Sequence, residues 1–266
     1  MLADTHCHLD DGQFDGRRAE IVEQAQQAGL KMILDPSTTL ESSRQILDLA
    51  HRFELVYGAV GVQPNYANTW QADAPEQLRA MAADEKVLAI GEIGLDYYWD
   101  RTEPQIQQEV LAAQLELAAE LNLPVIIHNR EADDDVSDAL CQWQASLDSD
   151  SPLADRPGVF HSFSGSPSMA EKVLAHNFFI GITGPVTFKK ADQLREIVKA
   201  APAEKLLIET DSPYLSPEPH RGKPNQPAHV RFVADKIAEI KGLERQDFYM
   251  QSTRNAERLF AVNLIQ

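Results

Sequence analysis

Six residues of types that bind metal ions stand at or near the ends of short apolar runs spread along almost the whole chain. They are His6, His8, Glu92, His128, His161 and Asp211. Each apolar run reads as a buried β-strand. Imidazole and carboxylate groups together suit zinc, manganese, iron or magnesium. The spacing therefore predicts that the ends of several strands bring a metal-binding set together.

The number of these residues bears on how many ions they hold. Six ligands exceed what one four-coordinate catalytic ion needs. A carboxylate can bridge two ions about 3.5–4 Å apart, and Glu92, in the middle of the chain order, is the candidate bridge. Asp211 is the candidate proton acceptor as well as a ligand. Any one of these residues could be an ordinary polar residue at a strand end. For all of them to be ordinary, however, a ligand-type residue would have to occur by coincidence at the ends of five separate strands.

The segment that contains His6 and His8 predicts which side chains share a face. Side chains alternate along a strand, so the two histidines and Asp4 should point one way and Cys7 the other. Cys7 is therefore interpreted as a structural residue that packs away from the metals.

The elements that must position these residues alternate between strand and helix. The apolar runs predict eight strands, with His8, Glu92, His128, His161 and Asp211 closing five of them, and a helix over residues 15–28 after the first. Strands that end in polar, ligand-type residues are typical of a barrel with its active site at the strand carboxyl ends. The chain has 266 residues, close to the roughly 250 of such a barrel. We predict an α/β fold, a TIM-type (β/α)8 barrel forming one domain over residues 1–266.

Composition limits the partners. The formal net charge of −17 argues against non-specific duplex binding through a basic surface. No apolar stretch approaches the roughly 18 residues of a membrane span, and the first strand starts at Leu2, so neither a membrane anchor nor a signal peptide is expected. Two cysteines do not make a disulfide framework, which predicts a cytoplasmic protein. Nothing in the sequence indicates an obligatory protein partner.

Three loop segments carry residues that could contact a substrate. Residues 220–223 form a basic run after the last strand of an acidic chain, so His220 and Arg221 could grip a phosphate or could be solvated charges. Gln63 and Asn65 follow the third strand and could line the barrel mouth. The aromatic residues 97–99 could stack a base or could simply pack.

The chain resembles the TatD family of metal-dependent deoxyribonucleases, within the amidohydrolase-like barrels. The resemblance rests on stretches that run from the first residues to the loop after the last strand, namely residues 4–10, 90–98, 124–130, 160–165, 209–215 and 220–225. No single stretch is specific, but the combination is.

The resemblance implies a site with two divalent ions, Mg, Mn or Zn. His6, His8, Glu92 and Asp211 would hold one ion, and Glu92, His128 and His161 the other. It implies hydrolysis of DNA phosphodiesters at single-stranded ends, 3′–5′ exonuclease-like, by a two-metal-activated water. The predicted substrate contacts are Gln63, Asn65, Arg130, His220, Arg221 and Asn225.

The chain departs from the family at the third strand. Gln63 and Asn65 are amides where the family usually has histidines, and Ser162 stands where a cysteine is common. Amides cannot act as cationic phosphate partners. Three hypotheses about the function therefore remain open. The protein is a two-metal nuclease, a metal-dependent hydrolase of a small amide, ester or lactone, or a metal-stabilised barrel that binds a partner without catalysis.

Overall fold

The eight predicted strands form one parallel sheet, in which neighbours along the chain are also neighbours in space. The computed structural model describes residues 1–265, so the last residue of the predicted domain, Gln266, lies outside the described residues. The strands are β1 (Leu2–Asp4), β2 (Leu30–Pro36), β3 (Val56–Val60), β4 (Val87–Asp96), β5 (Val125–Arg130), β6 (Gly158–Phe160), β7 (Phe179–Ile182) and β8 (Leu206–Ile208). This confirms the predicted (β/α)8 architecture.

Helices follow the strands, as the alternating pattern predicts. They are α1 (Arg18–Gln27), α2 (Leu40–Arg52), α3 (Ala74–Ala82), α4 (Pro104–Leu121), α5 (Asp133–Ser146), α6 (Pro167–Ala175), α7 (Asp192–Ala200), α8 (Val230–Lys241) and α9 (Arg245–Phe260). Helix α1 begins later than residue 15, because Gly16 has a φ of +74° and this left-handed conformation cannot continue a helix. Within residues 1–265, no helix combines the length and apolar character that a membrane crossing requires.

Strand residues alternate between two apolar layers. In β2, Met32 and Leu34 lie in an inner cluster that the carboxyl-terminal helix α9 closes with Leu259 and Phe260. Ile33, between them, belongs to the outer layer that packs the strands against the helices. The period of two is the one a pleated strand imposes. The barrel interior is therefore a packed core at one end, which leaves the other end for polar side chains.

The barrel closes between β1 and β8 through backbone at and just beyond the ends of these two strands. The N–H of Thr5 donates to the carbonyl of Ile208 at 3.2 Å, that of Asp211 to His6 at 2.9 Å, and that of His8 to Ser212 at 2.8 Å. The prediction that the first strand extends to His8 and the last to Asp211 was wrong, because these segments pair irregularly. His6, His8 and Asp211 thus lie on this closing segment.

Strands β4 and β5 depart from the prediction in the opposite direction, since both continue past their metal-type residue. The pairing register between them shifts between Ile90 and Ile93. Gly91 lies in that shift, and a Cβ there would stand 2.7 Å from the Cβ of Ile126, closer than carbon atoms can approach. A glycine is therefore required for β4 to lie against β5 where Glu92 is presented.

Candidate metal centre

Two histidines from the closing segment meet at the centre of the barrel mouth. The Nε2 atoms of His6 and His8 lie 3.3 Å apart, and His6 is fully buried. Cys7 points away, as predicted, into the outer apolar layer, where its sulfur accepts a hydrogen bond from the Ser212 hydroxyl at 3.1 Å. Asp4 does not share the histidine face, because regular strand geometry ends at this residue. Its carboxylate instead accepts a hydrogen bond from the N–H of Thr210 at 2.8 Å.

Glu92 presents its two carboxylate oxygens to two different pairs of histidines. Oε2 lies 3.9 Å from Nε2 of His6 and 3.8 Å from Nε2 of His8. Oε1 lies 2.7 Å from Nδ1 of His128 and 3.1 Å from Nε2 of His161. The side chain is 3% exposed. This is the arrangement that a carboxylate bridging two cations needs.

Asp211 completes the group around the first histidine pair. Its Oδ1 lies 3.5 Å from Nε2 of His8 and 3.8 Å from Nε2 of His6. The backbone φ of Asp211 is +53°, a left-handed conformation that Asp tolerates better than most residues. The structure thus brings together all six residues that the sequence predicted as metal ligands.

The distances between these donor atoms fit divalent cations. Bonds of about 2.1 Å to a tetrahedral ion place neighbouring ligand atoms about 3.4 Å apart. From Nε2 of His6 or His8, the distances to each other and to the nearest oxygens of Glu92 and Asp211 run from 3.3 Å to 3.9 Å. The group of Glu92, His128 and His161 is tighter, with 3.5 Å between the two histidine nitrogens. Potential donor atoms of His6, His8 and Glu92 lie within 4.8 Å of one another, and so do those of Glu92, His128 and His161 and those of His6, His161 and Asp211. The residues therefore fit ions held on both sides of Glu92.

The electrostatics of the cluster also suit cations. Burial would raise the pKa of Glu92, but His161 and His128 outweigh burial and hold this pKa well below its ordinary value. Burial, followed by the neighbouring His161, holds the pKa of His6 well below its ordinary value. His6 therefore offers a neutral imidazole and Glu92 a charged carboxylate at neutral pH, which are the forms that bind metals.

His128 should make metal binding depend on pH. Burial would lower its pKa, but hydrogen bonds with Asp96 and Glu92 outweigh burial and raise the pKa to about 9. A metal at Nδ1 must displace a proton that is bound below this pH. We expect the affinity for an ion at this group to rise about tenfold per pH unit up to about pH 9. Calorimetry in two buffers of different ionisation enthalpy measures the proton release. A constant affinity between pH 6.5 and 8.5 without proton release would contradict it.

A further group of metal-type side chains adjoins the first histidine pair. His8, Asp10 and Asp35 bring potential donor atoms within 4.8 Å of one another. Asp35 is fully buried at the end of β2, and burial raises its pKa well above the ordinary value. Asp35 closes the apolar run of residues 32–34 in the same way as the six predicted ligands close theirs, so a signal for this group was present in the sequence.

A cavity of about 750 Å³ opens above the cluster. Besides the metal-type residues, its lining includes three of the predicted substrate contacts, Gln63, Asn65 and Arg130. Gln63 and Asn65 are both buried, and the amide of Asn65 donates to Asp96 at 2.9 Å. The guanidinium of Arg130 lies 3.9 Å from the centre of the Tyr98 ring. Only Arg130 of these three offers an exposed side chain at the mouth.

The other three predicted substrate contacts do not line this cavity. The amide of Asn225 is buried and donates to the carbonyls of Thr210 and Tyr214, so it holds the loop after β8. The ring of His220 stacks on His229, with centroids 4.1 Å apart. The guanidinium of Arg221 lies over Phe188, 4.3 Å from the ring centre. Their position in the chain correctly predicted a loop at this end of the barrel. The loop directs these three side chains away from the cavity.

Sequence reasoning missed several cavity residues. Asp96 is 1% exposed and hydrogen-bonds to His128, and Arg101 joins Arg130 at the mouth. Tyr214 was missed as well, and it lines the cavity at 50% exposure. Trp99, which the sequence predicted either to stack a base or to pack, also lines the cavity and is 44% exposed. A signal for Asp96 was present, because Glu92, Gly94 and Asp96 lie two residues apart and share a strand face.

The barrel and its converging ligand set define the class of metal-dependent hydrolases. The family model described as TatD related DNase matches residues 3–261. The chain therefore belongs to the TatD family, as the resemblance indicated, and is a metal-dependent hydrolase that acts on ester bonds.

Related proteins align along essentially their full length. The chain is 38% identical over 263 residues to YabD of Bacillus subtilis, named an uncharacterized metal-dependent hydrolase, covering 99% of this chain and 100% of that protein. It is 35% identical over 267 residues to the 3′-5′ ssDNA/RNA exonuclease TatD of Escherichia coli K12, covering 98% and 99%. Among solved structures, the TatD homolog YJJV of Escherichia coli K12 superposes with a TM-score of 0.90 at 32% identity, covering 98% of each chain.

Proposed function

We propose that this protein is a two-metal exonuclease that removes nucleotides from the 3′ ends of single-stranded DNA or RNA. The observation that carries the proposal is the combination, in one cavity, of the Glu92-centred ligand set with a rim of exposed aromatic rings and two arginines. The E. coli protein named as a 3′-5′ ssDNA/RNA exonuclease, 35% identical to this chain, supports it.

The metal centre supplies the electrophilic part of the reaction. In the proposal, His6, His8, Glu92 and Asp211 hold one ion, and Glu92, His128 and His161 hold the other. Divalent ions in such a pair polarise a phosphoryl oxygen and lower the pKa of water. Asp211 lines the cavity, and burial raises its pKa above the ordinary value. Its carboxylate reaches the cavity beside His6 and His8, where water held at the ion would lie, and we assign it the proton of the attacking water.

The rim explains the preference for a single strand. Every base offers a face to an aromatic ring, and such stacking contributes about 1–3 kcal/mol per base. Trp99 and Tyr214 line the cavity and are largely exposed, whereas a paired and stacked base could not reach them. Arg101 and Arg130 supply positive charge at the cavity of a chain with a net charge of −17. This local charge suits a phosphate backbone.

Hydrolysis assays on labelled oligonucleotides test the proposal. The metal-stripped protein is reconstituted with Mg²⁺, Mn²⁺ or Zn²⁺ and offered single-stranded DNA, single-stranded RNA, blunt duplex and circular single strands. We expect activity on the linear single strands, loss from the 3′ end, and none in chelator. Higher kcat/KM on neutral amides or lactones would favour the small-molecule hydrolase. Metal binding without turnover of any of these substrates would favour a binding protein.

Arg130 should matter for substrate affinity, and Arg221 provides a matched control. Both are exposed arginines over an aromatic ring, but only Arg130 lines the cavity. Loss of a charged hydrogen bond to phosphate weakens binding by about 1.5 kcal/mol, so Arg130→Ala should raise KM for an oligonucleotide about tenfold. Metal content and kcat should stay near wild type. Arg221→Ala should leave KM unchanged; the reverse ranking would place the substrate on the loop after β8.

A further inference from the structure

A buried chain of hydrogen bonds runs from Asn65 through Asp96 to His128. The Asn65 amide nitrogen lies 2.9 Å from Oδ2 of Asp96. The same oxygen lies 2.9 Å from Nε2 of His128. On the opposite edge of the imidazole, Nδ1 lies 2.7 Å from Oε1 of Glu92. Asn65, Asp96 and Glu92 are each at most 6% exposed, so bulk water has little access to these contacts.

Asp96 is held in place from several directions. Its Oδ1 accepts hydrogen bonds from the backbone N–H groups of Tyr98 and Trp99, both at 3.1 Å. The side-chain amide of Gln107 accepts from the Asp96 N–H at 2.8 Å and donates to its carbonyl at 2.9 Å. Both the backbone and the carboxylate of Asp96 are therefore fixed before any ligand binds. A fixed carboxylate can impose an orientation on the imidazole beside it.

We propose that Asp96 is a positioning residue that keeps the proton of His128 on Nε2, so that Nδ1 is free to bind an ion together with Glu92 and His161, and that Asn65 orients Asp96 for this task. Both ring nitrogens of His128 face a carboxylate, but only Nδ1 also faces His161, 3.5 Å away. An ion bound by this group would therefore displace the hydrogen on Nδ1, and the hydrogen that Asp96 accepts from Nε2 would stay. The remaining lone pair then points at the group of potential ligand atoms. The inference rests on the proposed metal centre.

The proposal gives Asn65 a different task from the substrate contact that the sequence predicted. Its amide nitrogen is directed at Asp96, and its Oδ1 is buried without a hydrogen-bond partner among the described residues. The amide must donate here, because its oxygen would repel the carboxylate. The side chain therefore acts on the metal centre through Asp96 and His128.

Metal titration of the whole protein tests the inference without substrate. Zn²⁺ affinity is measured by competition with a chromophoric chelator in wild type, Asp96→Leu, Asp96→Asn and Asn65→Leu. Removing a carboxylate that orients a metal-bound histidine costs about 10–100-fold in affinity. We therefore expect Asp96→Leu to weaken Zn²⁺ binding by this factor at the ion that His128 holds, and not at the other ion. Asp96→Asn keeps an acceptor oxygen and should restore part of the affinity, and Asn65→Leu should lose several-fold.

The tautomer of His128 provides a readout that a merely structural role would not move. In ¹⁵N-histidine spectra of the Zn²⁺-loaded wild type, His128 should show hydrogen on Nε2 and coordination through Nδ1. Asp96→Leu should lose this signature, and Asp96→Asn should weaken it. Gln114→Met serves as the control, because Gln114 is a buried amide of helix α4 that bonds to the backbone of Val62 and not to Asp96 or His128. It should lower thermal stability and leave the Zn²⁺ affinity within twofold.

The outcomes separate this inference from the proposed function. Wild-type affinity and an unchanged His128 tautomer in both Asp96 variants would overturn the positioning role while leaving the exonuclease proposal intact. Loss of one ion in these variants, in a protein that hydrolyses no nucleic acid, would support the inference and reject the exonuclease. A wild type that binds no ion through His128 would overturn both.

Discussion

Replacing Glu92 with glutamine should abolish turnover and remove metal from both halves of the centre. The two carboxylate oxygens face different histidine pairs, and an amide can offer an oxygen to only one of them. The neutral side chain also removes the negative charge between the imidazoles. We expect kcat to fall by at least about 10³-fold, beyond the roughly 10–100-fold that loss of a partner touching only a ligand gives. Metal analysis after dialysis, together with kcat, measures the effect.

Glu209→Gln is the matched control for this substitution. Glu209 is also a fully buried glutamate at the barrel mouth, but its oxygens accept hydrogen bonds from Thr5 and the N–H of Ser162. It is absent from the groups of potential ligands found among residues 1–265. The Glu209→Gln variant should keep both ions. Both variants should fold, because the apolar clusters of the barrel do not include these positions. Normal binding of two ions by Glu92→Gln would reject the bridge.

The fold was predictable because each strand carries its own signal. A short apolar run between helical stretches specifies a buried strand regardless of its neighbours, and a repeated strand–helix unit leaves few topologies. The ligand types at the run ends then predict the mouth of the barrel. The sequence therefore predicted that six ligand-type residues meet at one end of the barrel, as they do in the structure, namely His6, His8, Glu92, His128, His161 and Asp211.

The ends of the strands were less predictable, because they depend on partners far away in the chain. Thr5 pairs with Ile208, and Cys7 forms an isolated bridge with Ser212, so β1 ends earlier than its apolar run suggests. Residues beyond Glu92 remain in β4 because β5 continues beside them. No local pattern encodes either fact.

The direction of loop side chains was the least predictable feature. Asn225 and Arg221 lie in a loop that follows β8. The residue type of Arg221 suggested a phosphate contact, and the family resemblance suggested a substrate contact for Asn225. The orientation of Asn225 is set by its hydrogen bond to the carbonyl of Thr210, and that of Arg221 by its contact with the ring of Phe188. Asp96 lies in a strand and shares a face with Glu92, but its role depends on a histidine in the neighbouring strand, which this spacing does not reveal. The role of a polar residue inside a strand is set by the side chain that it faces on the neighbouring strand.

Replacing Asp211 with asparagine should reduce turnover more than it reduces metal binding. Oδ1 of Asp211 lies 3.8 Å from Nε2 of His6 and 3.5 Å from Nε2 of His8, with a potential ligand atom of His161 within 4.8 Å. The amide oxygen of asparagine can still face His6 and His8. The amide cannot accept a proton, however, and a positioned proton acceptor contributes about 10²–10⁴-fold to a rate. We therefore expect kcat to fall within this range, KM to change little, and metal content to stay above that of Glu92→Gln.

Steady-state kinetics on a single-stranded oligonucleotide, with metal analysis of the same preparation, separate the two roles of Asp211. A fall in kcat that matches the loss of metal, and that excess Mn²⁺ restores, would make Asp211 a ligand alone. A fall in kcat that persists at saturating metal supports proton transfer, because the ion is then present and only the acceptor is missing. Wild-type kcat in Asp211→Asn would exclude Asp211 as the acceptor and direct the search to the other buried carboxylates at the mouth.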